Sequence, residues 1–176
     1  MEQAGEAVTK RLFEDDELRV FGVLDGASIP DLLEHLYSSD LEYECLYRGE
    51  LTPDIAEVAP YLVALENTSG FTHWLIERGW GRHWGVFALS RADLRALRRH
   101  FRTLLIVHDS KAKPLYFRYY DPRVLRVYLP TCNAGELSAI FGPVEKYLLE
   151  EEQTGAILSF HTNAGALVQQ RDEPGD

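Results

Sequence analysis

The chain has 176 residues, of which 45% are apolar and 26% are charged. These proportions are typical of a single globular domain that can bury a core without disulfide bonds or a metal. The formal net charge of −10 disfavours nonspecific binding to nucleic acid or to an anionic membrane, so we expect neither as a partner.

The beginning of the chain is acidic and has no apolar stretch of the kind found in a secretory signal. No segment reaches the ~18 consecutive apolar residues of a membrane helix, so we expect a cytoplasmic protein. Residues 1–16 are predicted to form a flexible N-terminal arm, residues 17–170 the folded domain, and residues 171–176 a disordered tail. Cys45 and Cys132 are expected to be separate core residues.

Alternation of apolar residues and the positions of glycine and proline divide the first half of the chain into short elements. In chain order we predict strand 18–24, helix 30–38, strand 43–47, a helical turn beginning at residue 52, strand 61–65, helix 71–78 and strand 84–89.

In the second half, Ser90 is predicted to cap an amphipathic helix that spans residues 91–101. Strands 103–107 and 115–119 should pair, short helices 124–129 and 136–141 should follow, and residues 144–152 fit a helix or a strand. A hairpin is expected around residues 163–165. The sequence thus predicts a mixed α/β (α+β) domain with a sheet-rich N-terminal half and a more helical segment after Asp121.

The most specific stretch is 117–125, in which an aromatic strand meets a helix start. Asp121 fits the N-cap position because its carboxylate can accept a first-turn N–H, and Pro122 fits the first helical position. Arg118 is expected to form an ion pair with Asp121. We interpret these residues as structural.

Four motifs resemble those of one bacterial family, the adaptor/chaperones of type VI secretion systems. The motifs are Leu24-Asp25-Gly26, Ala59-Pro60-Tyr61-Leu62-Val63, the stretch 115–125, and Phe141-Gly142-Pro143. The resemblance extends from about Val20 to Leu148. It implies a noncatalytic adaptor that binds a cognate secreted effector protein and promotes its loading on the VgrG spike protein, with Gly142 and Pro143 as part of the structural motif.

Two groups of side chains are candidates for partner binding. One is a tryptophan cluster of which we expect at least one member to be exposed, since large rigid rings dominate many interfaces. The other is an arginine stripe, which is either a solvated helix face or a dock for an acidic surface. The tryptophans are Trp74, Trp80 and Trp84, and the arginines are Arg91, Arg95, Arg98, Arg99 and Arg102.

We predict no catalytic residues, no cofactor and no metal. The glycine-rich stretch 79–85 follows a helix and enters a strand, the reverse of a dinucleotide-binding loop. His73, His83 and Glu77 are a weak alternative as a facial metal site, and residues 150–152 are expected to be a solvated charge run. The rival functions are an immunity-type toxin-binding protein and a small metal-dependent hydrolase.

Overall fold

The computed structural model describes residues 2–108, 111–152 and 154–173. Its helices are α1 (Glu2–Leu12), α2 (Leu32–Tyr37), α3 (Pro53–Val58), α4 (Gly70–Gly79), α5 (Leu94–Leu104), α6 (Pro122–Tyr128) and α7 (Ala134–Phe141), with a 3₁₀ turn at Leu129–Thr131. Its strands are β1 (Arg19–Asp25), β2 (Tyr43–Cys45), β3 (Pro60–Leu65), β4 (Gly85–Ser90), β5 (Ile106–His108), β6 (Pro114–Tyr116), β7 (Lys146–Glu150), β8 (Ile157–Asn163) and β9 (Ala166–Asp172).

Within this described part, seven strands form one antiparallel sheet in the order β2-β3-β1-β4-β7-β8-β9. Strands β5 and β6 pair only with each other and stand outside that sheet. The predicted mixed α/β class is therefore confirmed. After Asp121 the chain is helical as far as Phe141, and three strands of the main sheet then follow.

Strands β1, β3, β4 and β7 are buried on both faces of the sheet between two layers of helices, whereas β9 is largely exposed. Successive side chains of a strand point to opposite faces. On β1, Phe21 and Val23 face the layer of α5, α6 and α7, where they join a core with Leu97 and Phe101. We call this side the α5 face. Val20 and Leu24 point to the other side, the α4 face, where α1, α2 and α4 cover them.

The N-terminal segment is a helix rather than the expected flexible arm. Val8 and Leu12 lie four residues apart on one side of α1, and both are completely buried on the α4 face. At the other end, Arg171 and Asp172 belong to β9 and are not part of a tail. The expected disorder of residues 174–176 lies outside the described residues.

Helix α5 begins later than predicted. Asp93 is its N-cap and accepts a hydrogen bond of 2.7 Å from the Ala96 N–H, the bond that such a cap should make. Ser90, predicted to be the cap, ends β4, and its hydroxyl donates to the Pro143 carbonyl. The prediction of Ser90 as the N-cap was therefore wrong, because Asp93, three residues later, provides the acceptor for the first turn of α5.

The predicted C-terminal hairpin is confirmed. Asn163 and Ala166 close the β8–β9 pair, and both turn residues between them, Ala164 and Gly165, have positive φ, as a type I′ turn requires. Among the described helices, none is long and apolar enough to cross a membrane.

Candidate protein-binding site

The site is built around the buried carboxylate of Asp25 at the end of β1. Asp25 is 1% exposed. It accepts hydrogen bonds from the Arg118 guanidinium, from the Ser28 hydroxyl at 2.7 Å and from the Ala27 N–H at 3.3 Å. A buried carboxylate needs such partners because its desolvation is costly. Arg118 also lies over the ring of Tyr120, with 5.8 Å from its guanidinium carbon to the ring centroid.

The expected ion pair between Arg118 and Asp121 does not form. Asp121 instead pairs with Arg123, which donates to it from the backbone at 3.0 Å and from its guanidinium at 2.8 and 3.0 Å. The N-cap role of Asp121 and the first-turn position of Pro122 are confirmed. Burial alone would raise the pKa of Asp121, but the hydrogen bonds from Arg123 outweigh it and hold this pKa below its ordinary value.

Gly26 allows a second chain segment to approach Asp25. Its N–H donates to the Ala59 carbonyl at 3.1 Å, and a Cβ atom on Gly26 would lie 2.4 Å from that oxygen. Asp25 and Pro60 are also register partners in the β1–β3 pair. Three of the four motifs therefore meet at one end of β1. We call Asp25, Gly26, Ala59 and Arg118 the motif junction.

The fourth motif lies elsewhere and connects helices to the sheet. Gly142 ends α7 with φ of 48°, and a Cβ there would lie 2.4 Å from the His100 ring of α5. The carbonyl of the adjacent Pro143 accepts a hydrogen bond from the Ser90 hydroxyl. Burial lowers the pKa of His100, against the contact of its Nε2 with the Ile140 carbonyl. Gly142 and Pro143 thus lie where α7 meets α5 and β4.

An apolar groove lies between the β5–β6 pair and the chain that follows β2. Ile106 and Tyr116 are opposite each other in the pair and are 53% and 54% exposed. The groove has a volume of about 660 Å³. We call it the hairpin groove, and its lining residues are Leu46, Tyr47, Arg48, Leu51, Arg102, Thr103, Leu105, Ile106 and Tyr116.

The walls of the hairpin groove are fixed to the domain. Tyr116 meets Tyr47 edge to face, with 6.0 Å between ring centroids. Arg102 donates to the carbonyls of Cys45, Leu46 and Tyr47 at 2.9, 3.2 and 2.8 Å. These contacts hold the segment after β2 against α5 and cover carbonyls at the edge of the sheet, which would otherwise be open to strand pairing.

Three arginines of the stripe bond to other segments of the chain, and the other two do not. Arg91 pairs with Glu17 and Glu145, and Arg98 pairs with Glu44. Arg102 donates to the carbonyls at the end of β2 described above. Arg95 and Arg99 are exposed, and neither forms an ion pair within the described residues. Their predicted role in partner binding stays a prediction.

The three tryptophans pack on the opposite face of the sheet from the arginines, so the two predicted groups do not form one site. Trp84 is buried. Trp74 is half-buried and stacks on His35, with 3.7 Å between ring centroids. Trp80 is half-buried, stacks on Phe87, and donates from Nε1 to the Gly155 carbonyl at 2.8 Å. The expectation that at least one ring is exposed is wrong, since Trp74 and Trp80 are half-buried and Trp84 is buried. Their role in partner binding stays a prediction.

The glycine-rich turn after α4 is held by Glu150, which was expected to be solvated. Glu150 is buried and accepts backbone hydrogen bonds from Gly81 and, at 2.8 Å, from His83. His83 Nδ1 also lies 2.7 Å from this carboxylate. Burial raises the pKa of Glu150, while these donors oppose the rise. Within the described residues, no group of three or more His, Cys, Asp or Glu side chains is placed to hold a metal ion.

The sequence reasoning missed the exposed apolar pair, Ile106 and Tyr116. Both strands of the pair were predicted, and apolar residues in a strand normally indicate a buried face. In the structure each strand has only three residues, too few to cover a core, whereas the sequence predicted five residues for each and gave no signal of this exposure.

A family model described as a domain of unknown function, DUF4123, matches residues 20–139. Comparison with curated proteins and with solved structures gives no match. The matched range includes the whole motif junction and the hairpin groove. Since the match covers more than half of the 176 residues, the chain belongs to the DUF4123 family.

Proposed function

We propose that the protein is a noncatalytic adaptor that binds a cognate type VI secretion effector in the cytoplasm and promotes its loading on the VgrG spike protein. Two findings support the proposal: membership of the DUF4123 family and the resemblance of the four motifs to adaptor/chaperones. The observation that carries it is the hairpin groove, where Ile106 and Tyr116 are exposed side by side.

The geometry fits binding better than chemistry. An exposed aromatic ring beside an aliphatic chain gives a partner an apolar contact of low entropy cost, since both belong to a short ordered strand pair. Arg48 lies on the rim and is exposed, so an acidic group of the partner can be recognised there.

The groove is also suited to release. Nine residues line it, against about 20 to 30 residues per partner in a standard stable interface, so it would anchor only one part of an effector. An adaptor that must transfer its cargo requires such exchangeable contacts, because affinity differences arise mostly in the dissociation rate.

The test is copurification of the tagged protein with an effector encoded near it. We expect a stoichiometric complex with the wild type, and loss of most effector from the double variant Ile106→Ser/Tyr116→Ser. The control is Val127→Ser on α6, which removes an equally exposed side chain, 66% exposed, outside the groove. Equal recovery by all three proteins would contradict the assigned surface, and no effector with the wild type would contradict the adaptor function.

Toxin activity separates an adaptor from an immunity protein. A loading adaptor should leave the activity of the purified effector unchanged and should increase the amount of effector bound to VgrG. Inhibition of the toxin at equal molar ratio, without any effect on VgrG binding, would favour the immunity function instead.

A further inference from the structure

Helix α3 is an amphipathic segment without a buried face. Residues 53–58 form it, and none of them is buried. Ile55 and Val58 are both exposed, although the apolar residues of a surface helix normally pack on a core. Nearby, Tyr37 at the end of α2 is 69% exposed. Each of these apolar side chains is thus left open to solvent by the described part of the chain.

Tyr37 and Val58 both line a groove of about 820 Å³ between α2 and α3. The loop that leaves the motif junction forms one wall, because Asp25 holds it through Ala27 and Ser28. We call this the α2–α3 groove. Its apolar lining includes Leu33, Leu51, Pro53, Val58 and the ring of Tyr37.

The charge around the groove has one sign. Asp31, Glu34 and Glu57 line it, and no Lys or Arg does. None of these three carboxylates forms an ion pair within the described part of the chain. More broadly, residues 26–66 contain nine Asp and Glu but a single Arg. This field attracts cations to an apolar surface, a combination that selects for a partner carrying both features.

We infer that the α2–α3 groove binds a cationic amphipathic helix of the partner protein, with its apolar face on Tyr37 and Val58 and its Lys or Arg residues beside Glu34 and Glu57. Helix-in-groove binding has this form. The inference rests on the proposed binding function but concerns a surface separate from the hairpin groove, with which it shares only Leu51 among the lining residues.

Two other occupants fit less well. An extended strand would need a free sheet edge, and the edge nearest the groove, β2, has its following carbonyls covered by Arg102. A second copy of this chain would have to offer a basic amphipathic helix. The helix of that kind is α5, whose Leu97 and Phe101 are completely buried in its own core. A helix from another protein therefore fits best.

The probe is a synthetic amphipathic peptide of about 14 residues, long enough to form a helix on binding, built from Leu and Lys. A twin peptide with Glu in place of every Lys has the same apolar spacing. Binding to the full chain is measured by fluorescence anisotropy. We expect the Leu/Lys peptide to bind and the Leu/Glu peptide to bind at least ~10-fold more weakly.

Two variants locate the binding. Tyr37→Ser/Val58→Ser removes exposed apolar contacts, and Glu34→Gln/Glu57→Gln removes two charges. Each double variant should bind the Leu/Lys peptide about 10-fold more weakly than the wild type. All four side chains are exposed, so the fold should persist, which circular dichroism checks.

The matched controls are Val127→Ser for the apolar pair and Glu6→Gln/Glu77→Gln for the charges. The control acids are exposed and lie on α1 and α4. Equal weakening by the two charge variants would mean that the peptide responds only to net charge, and would overturn the inference. Unchanged binding in Tyr37→Ser/Val58→Ser would overturn it as well.

The copurification experiment separates this inference from the proposed function. If the effector copurifies equally with wild type and with both groove variants, the adaptor function stands and the inference fails. If the peptide depends on the groove but no effector copurifies with the wild type, the groove assignment stands and the adaptor function fails.

Discussion

Replacing Arg118 with methionine keeps most of the side-chain volume but removes the guanidinium that pairs with the buried Asp25. The Asp25 carboxylate would then keep only the Ser28 hydroxyl and the Ala27 N–H as donors. We expect Arg118→Met to reduce the free energy of unfolding, because a buried charge left without its counterion keeps its full desolvation cost.

The magnitude follows from the exposure of the two partners. Breaking a fully buried ion pair costs ~3 to 5 kcal/mol, and a hydrogen bond to a charged group contributes ~1.5 to 3 kcal/mol. Asp25 is almost completely buried, but the Arg118 side chain is 45% exposed, so water screens part of the interaction. We therefore expect a loss of about 2 kcal/mol.

A double-mutant cycle measured by urea unfolding tests the assignment of partners. Arg118→Met combined with Asp25→Asn should give a coupling energy of about 1 to 2 kcal/mol. Arg118→Met combined with Asp121→Asn is the matched control and should be additive within about 0.5 kcal/mol. A larger coupling to Asp121 than to Asp25 would refute the reasoning and restore the pair that the sequence suggests.

Three further changes test other contacts. Trp80→Ala should lower stability by about 2 kcal/mol in thermal unfolding, through loss of packing and of the bond to Gly155; an unchanged melting temperature would mean a merely surface ring. Glu150→Ala should lower the free energy of unfolding, measured in urea, by about 2 to 4 kcal/mol, since it leaves the N–H groups of Gly81 and His83 without their acceptor. A loss under about 0.5 kcal/mol would contradict the role of Glu150 in holding this turn. Asp121 has a lowered pKa in the folded state, so its stabilisation is present above its unfolded pKa of about 3.9 and is lost as the pH falls through the folded value. The free energy of unfolding of Asp121→Asn should therefore decrease less steeply below about pH 4 than that of the wild type. The same decrease in both proteins would argue against the Arg123 pair.

Local features of the fold were predictable from the sequence because local chemistry determines them. The Asp121 cap and Pro122 use backbone groups of the next turn, and the hairpin around Ala164 and Gly165 uses backbone conformations that only a few residues adopt readily. Most strands were also placed correctly, since β1 and β3 are short apolar runs that are buried on both faces of the sheet.

The long-range contacts could not be predicted in this way. Arg118 has an acid three residues away, yet its partner is Asp25, 93 residues earlier in the chain. The sequence placed Arg95, Arg98, Arg99 and Arg102 correctly on α5, although Arg91 precedes it, but it could not show that β2 would lie within reach of Arg98 and Arg102. The hairpin groove likewise joins two segments distant in sequence, residues 46–51 and 102–116, so composition alone gave no sign of it.

The order of strands in the sheet also determines which truncated fragments of this protein would keep the whole sheet. The family match ends at residue 139, inside α7, whereas β7 pairs with β4 and contributes the buried Tyr147 and Leu149. A fragment limited to residues 20–139 would lose three of seven strands, the helix α1 and the end of α7. The matched segment is thus a recognisable signature and not an autonomous folding unit. Fragments for expression, or chimaeras that exchange one family member for another, should retain both flanks.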